Sequence, residues 1–115
     1  MKILISFDID GTLEIGDPPG PLTMDMVRRA HETGCIIGTC SDRPLNVQKE
    51  LMELQKIPID FVARKHELAE VRAAFEAELY YHIGDTELDQ LFAMRAGFDF
   101  LWMTAALNEP WIYLR

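Results

Sequence analysis

Five short, mostly apolar runs, separated by longer amphipathic stretches, restrict the fold of this chain more than any other feature of its sequence. Their apolar residues are largely continuous rather than alternating with polar ones, which is typical of strands covered on both faces. The predicted strands cover residues 3–7, 35–40, 59–63, 79–83 and 98–103. We therefore expect a five-stranded parallel sheet flanked by helices.

The stretches between these runs predict four helices, because their apolar residues recur at helical spacing. Gly34 follows the first predicted helix, Pro58 the second and Gly97 the last, and both residue types end helices. The predicted helices cover residues 23–33, 45–56, 66–78 and 88–96. This alternation predicts the α/β class, as a three-layer α/β/α sandwich.

A length of 115 residues predicts a single domain over residues 1–115. The net charge of -8 repels nucleic-acid backbones and anionic lipids, so we expect no membrane partner, and nonspecific binding to nucleic acid is disfavoured. A polynucleotide end stays open as a substrate, because a metal or a few local cations can reverse the field inside one cleft. No apolar run reaches the about 18 residues of a membrane helix, and Asp8 ends the first run before the length of an export signal. We expect a cytoplasmic protein in which Cys35 and Cys40 are reduced thiols.

Two carboxylates, Asp8 and Asp10, follow the first predicted strand directly. Acids this close repel each other unless they share a proton or a cation lies between them. Gly11 then permits a sharp turn, and Thr12 adds a hydroxyl and a backbone N–H beside the acids. The alternative is a strand that ends in solvent, with each carboxylate capping a backbone amide. The whole Asp-x-Asp-Gly-Thr pattern favours a functional site.

Further polar residues follow the second and third predicted strands, and the carboxyl ends of parallel strands meet at one edge of a sheet. Ser41 and Arg43 offer a hydroxyl and a guanidinium near a helix N-terminus. Ser41 is the favoured anion ligand of the two, with helix N-capping as its alternative role. Arg64 and Lys65 are both candidate phosphate ligands. Lys65 needs an anionic neighbour, because a cation at a helix N-terminus opposes the helix dipole.

After the fourth predicted strand, Asp85 stands at the strand edge and Asp89 one helical turn further along. Asp85 is placed to share a metal with Asp8, whereas Asp89 taken alone also fits an exposed helix acid. The sheet edge thus offers carboxylates, a hydroxyl and a lysine, with no thiolate or histidine cluster suited to zinc. Hard oxygen ligands of this kind select Mg²⁺.

In this order, the four segments resemble the signature of the haloacid dehalogenase superfamily of phosphotransferases over residues 3–97. The third segment departs from the family pattern, because His66 follows the lysine where proline is frequent. The resemblance implies a Rossmannoid sheet with the strand order 5-4-1-2-3. The matching residues are Asp8, Asp10, Gly11 and Thr12, then Ser41, then Lys65, then Gly84, Asp85 and Asp89.

The resemblance further implies a Mg²⁺-dependent phosphomonoester hydrolase that works through an aspartyl-phosphate intermediate. Asp8 is the implied nucleophile and Asp10 the implied general acid and base. An acid at position 10 favours a phosphatase over a dehalogenase, because a halide leaves without a proton. The implied Mg²⁺ ligands are Asp8, the backbone carbonyl of Asp10, and Asp85. The implied phosphate ligands are Gly11, Thr12, Ser41 and Lys65, and Asp89 is implied to orient Lys65 or the metal's water shell.

The spacing between the motifs leaves no room for a cap domain, since only a proline-rich surface loop, two helices and a strand are predicted there. By resemblance, capless members act on large substrates or oligomerise so that a neighbour closes the site. We expect a phosphorylated small molecule or macromolecule as substrate. We expect the apolar tail around Trp111 and Tyr113 to pack on its own domain or on a second copy. A second functional hypothesis is a catalytically idle phosphate- or metal-binding regulatory domain of the same fold.

Overall fold

The computed structural model describes residues 1–109 and places five strands in one sheet. The strands are β1 (Ile3–Phe7), β2 (Ile36–Cys40), β3 (Phe61–Ala63), β4 (Leu79–Gly84) and β5 (Asp99–Trp102). All paired strands are parallel, in the order β3-β2-β1-β4-β5. This is the predicted order read from the other edge, so the predicted α/β class and sheet order are confirmed.

Helices cover both faces of the sheet. Residues 1–109 contain α1 (Met24–Glu32), α2 (Leu45–Leu54), α3 (Leu68–Ala74), α4 (Glu87–Ala96) and α5 (Met103–Ala106), and a 3₁₀ turn (Lys65–Glu67) leads into α3. Side chains of α1, α2 and α5 share one apolar core with the sheet, whereas those of α3 and α4 share a second core. The three-layer arrangement is therefore confirmed.

The central strand β1 supplies side chains to both cores. Ile5 and Phe7 belong to the core beneath α1 and α2, while Leu4 belongs to the core beneath α3 and α4. All three side chains are buried, which explains why this strand is continuously apolar in sequence. Because β2 and β4 pair with β1 on either side, the residues that follow β1 lie at the middle of the carboxyl edge.

The predicted third helix is too long by four residues, because α3 ends at Ala74 instead of residue 78. Phe75 is extended, with φ -130° and ψ 134°, and the chain turns there to enter β4. The Tyr80 hydroxyl stabilises this turn by donating to the Phe75 carbonyl and accepting from the Ala77 N–H. The short helix α5 is absent from the predicted elements, since four residues are too few for a helical pattern.

The proline-rich loop is exposed at residues 17–19, as predicted, and it also folds back onto the segment that follows β1. The Gly11 N–H donates to the Pro18 carbonyl at 2.7 Å, and the Gly20 N–H donates to the Leu13 carbonyl at 2.9 Å. A Cβ at Gly20 would lie 2.2 Å from the Thr12 carbonyl carbon, so only glycine allows this approach. The loop therefore holds the Asp-x-Asp-Gly-Thr segment in place.

Three further predictions concern the cysteines, membrane-spanning helices and the C-terminal tail. Cys35 and Cys40 are buried and unbridged, as expected. Across residues 1–109, no helix combines the length and apolar character needed to cross a membrane. The expected packing of the tail around Trp111 and Tyr113 lies outside the described residues.

Replacing Gly38 with alanine tests the packing of the edge strand β3. The new Cβ would lie 2.4 Å from the Phe61 carbonyl oxygen, so β3 has to move away from β2. We expect Gly38→Ala to lower the free energy of unfolding by about 1–3 kcal/mol, measured by urea denaturation. The control is Leu54→Ala at a side chain that is 77% exposed, which should stay within about 0.5 kcal/mol of the wild type. Equal stability of the two variants would contradict the close contact between Gly38 and Phe61.

Candidate active site

Asp8 lies in a nearly closed position at the carboxyl end of β1. Its backbone N–H donates to the Ile83 carbonyl at 2.9 Å, which extends the pairing of β1 with β4 by one residue. Its side chain is 5% exposed, and its Oδ2 atom lies 3.7 Å from the Lys65 ammonium. The strand pairing thus fixes the backbone of Asp8 while its carboxylate faces a buried cation.

Lys65 is surrounded by carboxylates. Its Nζ atom lies 3.2 Å from Asp89, 3.7 Å from Asp8 and 3.7 Å from Asp42. Burial opposes the charged form, but the field of Asp8 and Asp89 outweighs it and raises the pKa of Lys65 above its ordinary value. The anionic neighbours that its helix-terminal position requires are therefore present. Arg64, the competing cation in the sequence, is exposed, and Lys65 alone of the two reaches this cluster.

Asp85 is held beside Asp8 by the absence of a side chain at Gly11. Gly11 has φ +77°, and a Cβ there would lie 1.8 Å from Asp85 Oδ2. The Asp85 carboxylate therefore packs directly on the backbone of the turn after β1. One carboxylate oxygen each from Asp8, Asp85 and Asp89 lies within 4.8 Å of the other two. The predicted gathering of these acids at one sheet edge is present.

Asp89 is fully buried, and both of its oxygens are already occupied. Oδ1 contacts His82 Nε2 at 2.9 Å and Lys65 Nζ at 3.2 Å. Oδ2 accepts from the Thr86 hydroxyl at 2.7 Å and from the Thr86 N–H at 3.3 Å. A carboxylate with this many donors has little capacity left for a metal. Of the two roles considered for Asp89, orienting Lys65 is the one that its contacts favour.

The two buried acids differ in proton affinity. Burial, and then repulsion by Asp89, raises the pKa of Asp8 from 3.8 to about 8. Burial also disfavours the charged form of Asp89, but hydrogen bonds from His82 and Thr86 outweigh it and hold its pKa well below the ordinary value. Asp8 is therefore the group that most needs a further positive charge beside it.

Asp10 meets a cation of its own. Arg43 forms a two-pronged ion pair with it, Nε to Oδ2 at 3.0 Å and Nη2 to Oδ1 at 2.7 Å. The Asp17 N–H also donates to Oδ1 at 2.8 Å. The hydrogen bonds from Arg43 are the main cause of a lowered pKa at Asp10. Because β1 ends at Phe7, strand geometry does not govern Asp10, and its partners differ entirely from those of Asp8.

The remaining predicted phosphate ligands lie in or beside the loops of this edge. Ser41 is buried, and its Oγ accepts from the Arg43 N–H at 3.1 Å. The Gly11 and Thr12 N–H groups donate to carbonyls of their own loop, Pro18 and Ile9. The Thr12 hydroxyl is buried and has no hydrogen-bond partner among residues 1–109. Phosphate binding by these groups stays a prediction.

The contacts of Arg43 and His82 at this edge were not predicted from the sequence. His82 is fully buried. Its Nδ1 lies 2.9 Å from Ser6 Oγ, and its Nε2 contacts Asp89. One signal for this was present in the sequence: Ser6 and His82 are polar residues inside apolar strands, and buried polar groups need partners. Arg43 carries no comparable signal, because its pairing depends on the path of the loop after Asp10.

The donor set at this edge suits a divalent cation. Asp8 and Asp85 offer carboxylate oxygens close together, and the pKa of Asp8 is raised by burial and then by Asp89. Hard cations such as Mg²⁺ and Ca²⁺ take ligands of this type. The arrangement as a whole, a buried carboxylate beside a lysine and a metal-competent acid pair, can receive and hold a phosphoryl group.

Replacing Asp8 with asparagine should stabilise the metal-free protein. A carboxyl whose pKa is raised in the folded state makes the protein less stable as the pH rises. Here the loss runs from the unfolded pKa of 3.8 to the folded pKa of about 8. In EDTA, we expect Asp8→Asn to raise the free energy of unfolding at pH 8 by more than about 1 kcal/mol, which is roughly the equivalent of one pKa unit. The gain should shrink towards pH 4, as measured by urea denaturation across this range. Asp25→Asn, at a side chain that is 78% exposed, should show no such trend. A gain that does not depend on pH would contradict an origin in the buried charge of Asp8.

Comparisons with known proteins do not identify a family for this chain. No protein-family model matches this chain, and no curated protein matches it significantly. The functional conclusion therefore rests on the geometry of the carboxyl edge around Asp8.

Proposed function

We propose that this protein is a Mg²⁺-dependent phosphomonoester hydrolase of the haloacid dehalogenase type, acting through an aspartyl phosphate on Asp8. The observation that carries the proposal is the position of the Asp8 carboxylate at the end of the central strand, 3.7 Å from Lys65 and clustered with Asp85. The Lys65 ammonium beside this nucleophile is available to bind the phosphoryl oxygens. Asp8 and Asp85 together form an acid pair that is available to bind a metal.

In this proposal, the Asp8 and Asp85 carboxylates and the Asp10 backbone carbonyl hold the metal. Mg²⁺ bound there neutralises charge, so that an anionic carboxylate can approach an anionic phosphate. It would also favour the ionised, nucleophilic form of Asp8, which burial otherwise opposes. Asp89 does not belong to this ligand set, because its oxygens accept from His82, Thr86 and Lys65.

The proposed reaction has two steps that are joined by the phosphorylated form of Asp8. An Asp8 oxygen forms a bond to phosphorus while the ester oxygen leaves and takes a proton from Asp10. A water molecule then gives its proton to Asp10 and attacks the acyl phosphate, which releases inorganic phosphate and restores the Asp8 carboxylate. Lys65 and Ser41 bind the phosphoryl oxygens in both steps. The N–H groups of Gly11 and Thr12 join them only if their loop hydrogen bonds open.

The ion pair with Arg43 determines the protonation state of Asp10 before the substrate binds. It stabilises the carboxylate, which suits the second step, in which Asp10 is a base. In the first step Asp10 has to donate a proton, and the pair opposes this. An anionic substrate that draws Arg43 towards itself would weaken the pair and raise the proton affinity of Asp10. Substrate binding would thus favour the protonated form of Asp10, which the first step requires.

The surroundings of the site bear on the class of substrate. Between β2 and β3 the chain forms only α2, and the proline-rich loop is bonded to the turn after β1, so no cap domain is present in residues 1–109. We propose a phosphorylated small molecule or macromolecule that covers the site itself, or a homo-oligomer in which a second copy does so. The charge of -8 disfavours nucleic acid as that macromolecule.

The second candidate is a catalytically idle domain that binds phosphate or metal and does not hydrolyse esters. The observation in its favour is the closed Asp10–Arg43 pair, which removes the proton carrier that a hydrolase needs. It predicts binding of phosphate and Mg²⁺ without turnover.

Turnover of an aryl phosphate separates the two candidates. For the hydrolase we expect activity with Mg²⁺, loss of activity in EDTA, and recovery when Mg²⁺ is added back. Asp8→Asn should reduce kcat at least about 1,000-fold, since without the nucleophile only binding and charge stabilisation remain. Asp25→Asn serves as the matched control and should keep full activity. Wild-type protein that binds inorganic phosphate but turns over no ester would support the idle domain.

Neighbouring cations provide a test of the phosphate site. Lys65 is buried against Asp8, whereas Arg64 is exposed, although the two are adjacent in sequence. We expect Lys65→Gln to lower kcat/KM for the aryl phosphate by about 100-fold or more, the cost of one charge-stabilising donor. Arg64→Gln should stay within about twofold, as is usual for an exposed residue. Similar losses in both variants would show that the positive charge acts at long range rather than by contact.

A further inference from the structure

Two buried polar residues behind the site, Ser6 and His82, are not used by the proposed reaction. They face each other on neighbouring strands, since Ser6 of β1 is in register with His82 of β4. Both are fully buried, and Ser6 Oγ lies 2.9 Å from His82 Nδ1. The other ring nitrogen, Nε2, lies 2.9 Å from Asp89 Oδ1. A continuous polar chain therefore runs from the interior of the sheet to Asp89.

We propose that Ser6 and His82 are positioning residues that fix the Asp89 carboxylate and, through it, hold the Lys65 ammonium at the phosphoryl site. The inference rests on the proposed function, because it assigns Lys65 to the phosphoryl group. It adds two residues to that function that touch neither substrate nor metal.

The hydrogen-bond chemistry fixes the direction of this chain. Asp89 is a carboxylate and accepts, so His82 Nε2 carries the hydrogen and donates to it. In the neutral ring, Nδ1 then accepts from the Ser6 hydroxyl. Asp89 selects the form that carries the hydrogen on Nε2, and Ser6, whose hydroxyl can donate or accept, holds the ring at its second nitrogen, in the manner of partners that orient metal-binding histidines. The ring is also in contact with Phe100, at 6.3 Å between centroids, which limits its rotation.

Lys65 needs such a fixed partner because several carboxylates compete for it. Asp8 and Asp42 are each 3.7 Å away, and Asp89 is the nearest at 3.2 Å. Asp42 is 78% exposed and Asp8 is the proposed nucleophile, so neither is a suitable permanent anchor. Asp89 is locked on one oxygen by Thr86 and on the other by His82. Without His82, Oδ1 loses its only rigid donor and the ammonium loses a defined position.

A role in packing alone does not account for this pair. Apolar residues of similar volume would fill the same space without burying polar atoms, and such replacements are often neutral or stabilising. On the side of Ser6, the pair also has a side-chain hydrogen bond with the buried Cys40 thiol. On the side of His82, it reaches Asp89, in the direction of the site.

The test compares His82→Phe, His82→Gln and Ser6→Ala with Tyr80→Phe as the control. Tyr80 lies on the same strand and face, and its hydroxyl is bonded only to the turn at Phe75 and Ala77. For each variant we would measure kcat and KM with an aryl phosphate, the Kd of inorganic phosphate in saturating Mg²⁺, the Kd of Mg²⁺, and the free energy of unfolding.

We expect His82→Phe to lower kcat/KM about 10- to 100-fold and to raise the Kd of phosphate about tenfold, the usual effect of losing a partner that orients a ligand. The Kd of Mg²⁺ should change less than about threefold, because Asp89 is not placed among the metal ligands. His82→Gln keeps an N–H that can reach Asp89 and should stay within about fivefold of the wild type. Tyr80→Phe should leave kcat/KM and both Kd values unchanged while lowering the free energy of unfolding.

The outcomes separate this inference from the proposed function. A folded His82→Phe with wild-type phosphate affinity and kcat/KM overturns the positioning role, even if its stability falls. If His82→Phe does not fold, Ser6→Ala decides, and unchanged phosphate affinity in that variant overturns the role equally. A wild type that binds phosphate without turnover, together with weaker binding by His82→Phe, overturns the hydrolase and supports the positioning role. A wild type that binds no phosphate counts against both.

Discussion

The buried ammonium of Lys65 is the charge on which the carboxyl edge of this sheet depends. Asp8 and Asp89 are both removed from solvent, and burying charges is costly unless they are paired. Lys65 lies within 3.7 Å of both, so one cation serves two acids that otherwise repel each other. Burial, and then repulsion by Asp89, still raises the pKa of Asp8, although Lys65 opposes them. A divalent cation bound beside Asp8 would favour its ionised form, which connects the electrostatics of the edge to its proposed chemistry.

The parallel sheet makes this concentration of charge possible. Adjacent parallel strands end at the same edge, so Asp8 after β1 and Asp85 after β4 arrive side by side from distant parts of the chain. Gly11 then lets the Asp85 carboxylate rest on the backbone of the turn. The proline-rich loop, bonded to the same turn, keeps it from relaxing outwards. Fixed backbone positions therefore hold groups that would separate in a flexible chain.

Asp8 and Asp10 show how much two acids of one motif can differ. Asp8 is buried beside other acids, and its pKa is raised to about 8. Asp10 is partly exposed and clamped by Arg43, which lowers its pKa. The difference arises because burial and Asp89 raise the pKa of Asp8 although Lys65 opposes them, whereas hydrogen bonds from Arg43 lower the pKa of Asp10. In the proposed reaction, the metal would favour the ionised form of Asp8, and the substrate would release Asp10 from Arg43.

The sequence by itself determined the class of fold and the membership of the site. Continuous apolar runs, helix stops and the Asp-x-Asp-Gly-Thr segment are local patterns, and they were enough to predict a parallel sheet and the convergence of Asp8, Lys65, Asp85 and Asp89 at its edge. The order of the strands was implied only by the resemblance of the four segments to a known family signature. They were not enough to choose between Arg64 and Lys65, to find the Arg43 clamp on Asp10, or to connect Ser6 with His82. These pairings depend on strand register and loop paths, which bring together residues separated by up to 76 positions. Local patterns specify which groups reach the edge, and only the packed chain decides which of them touch.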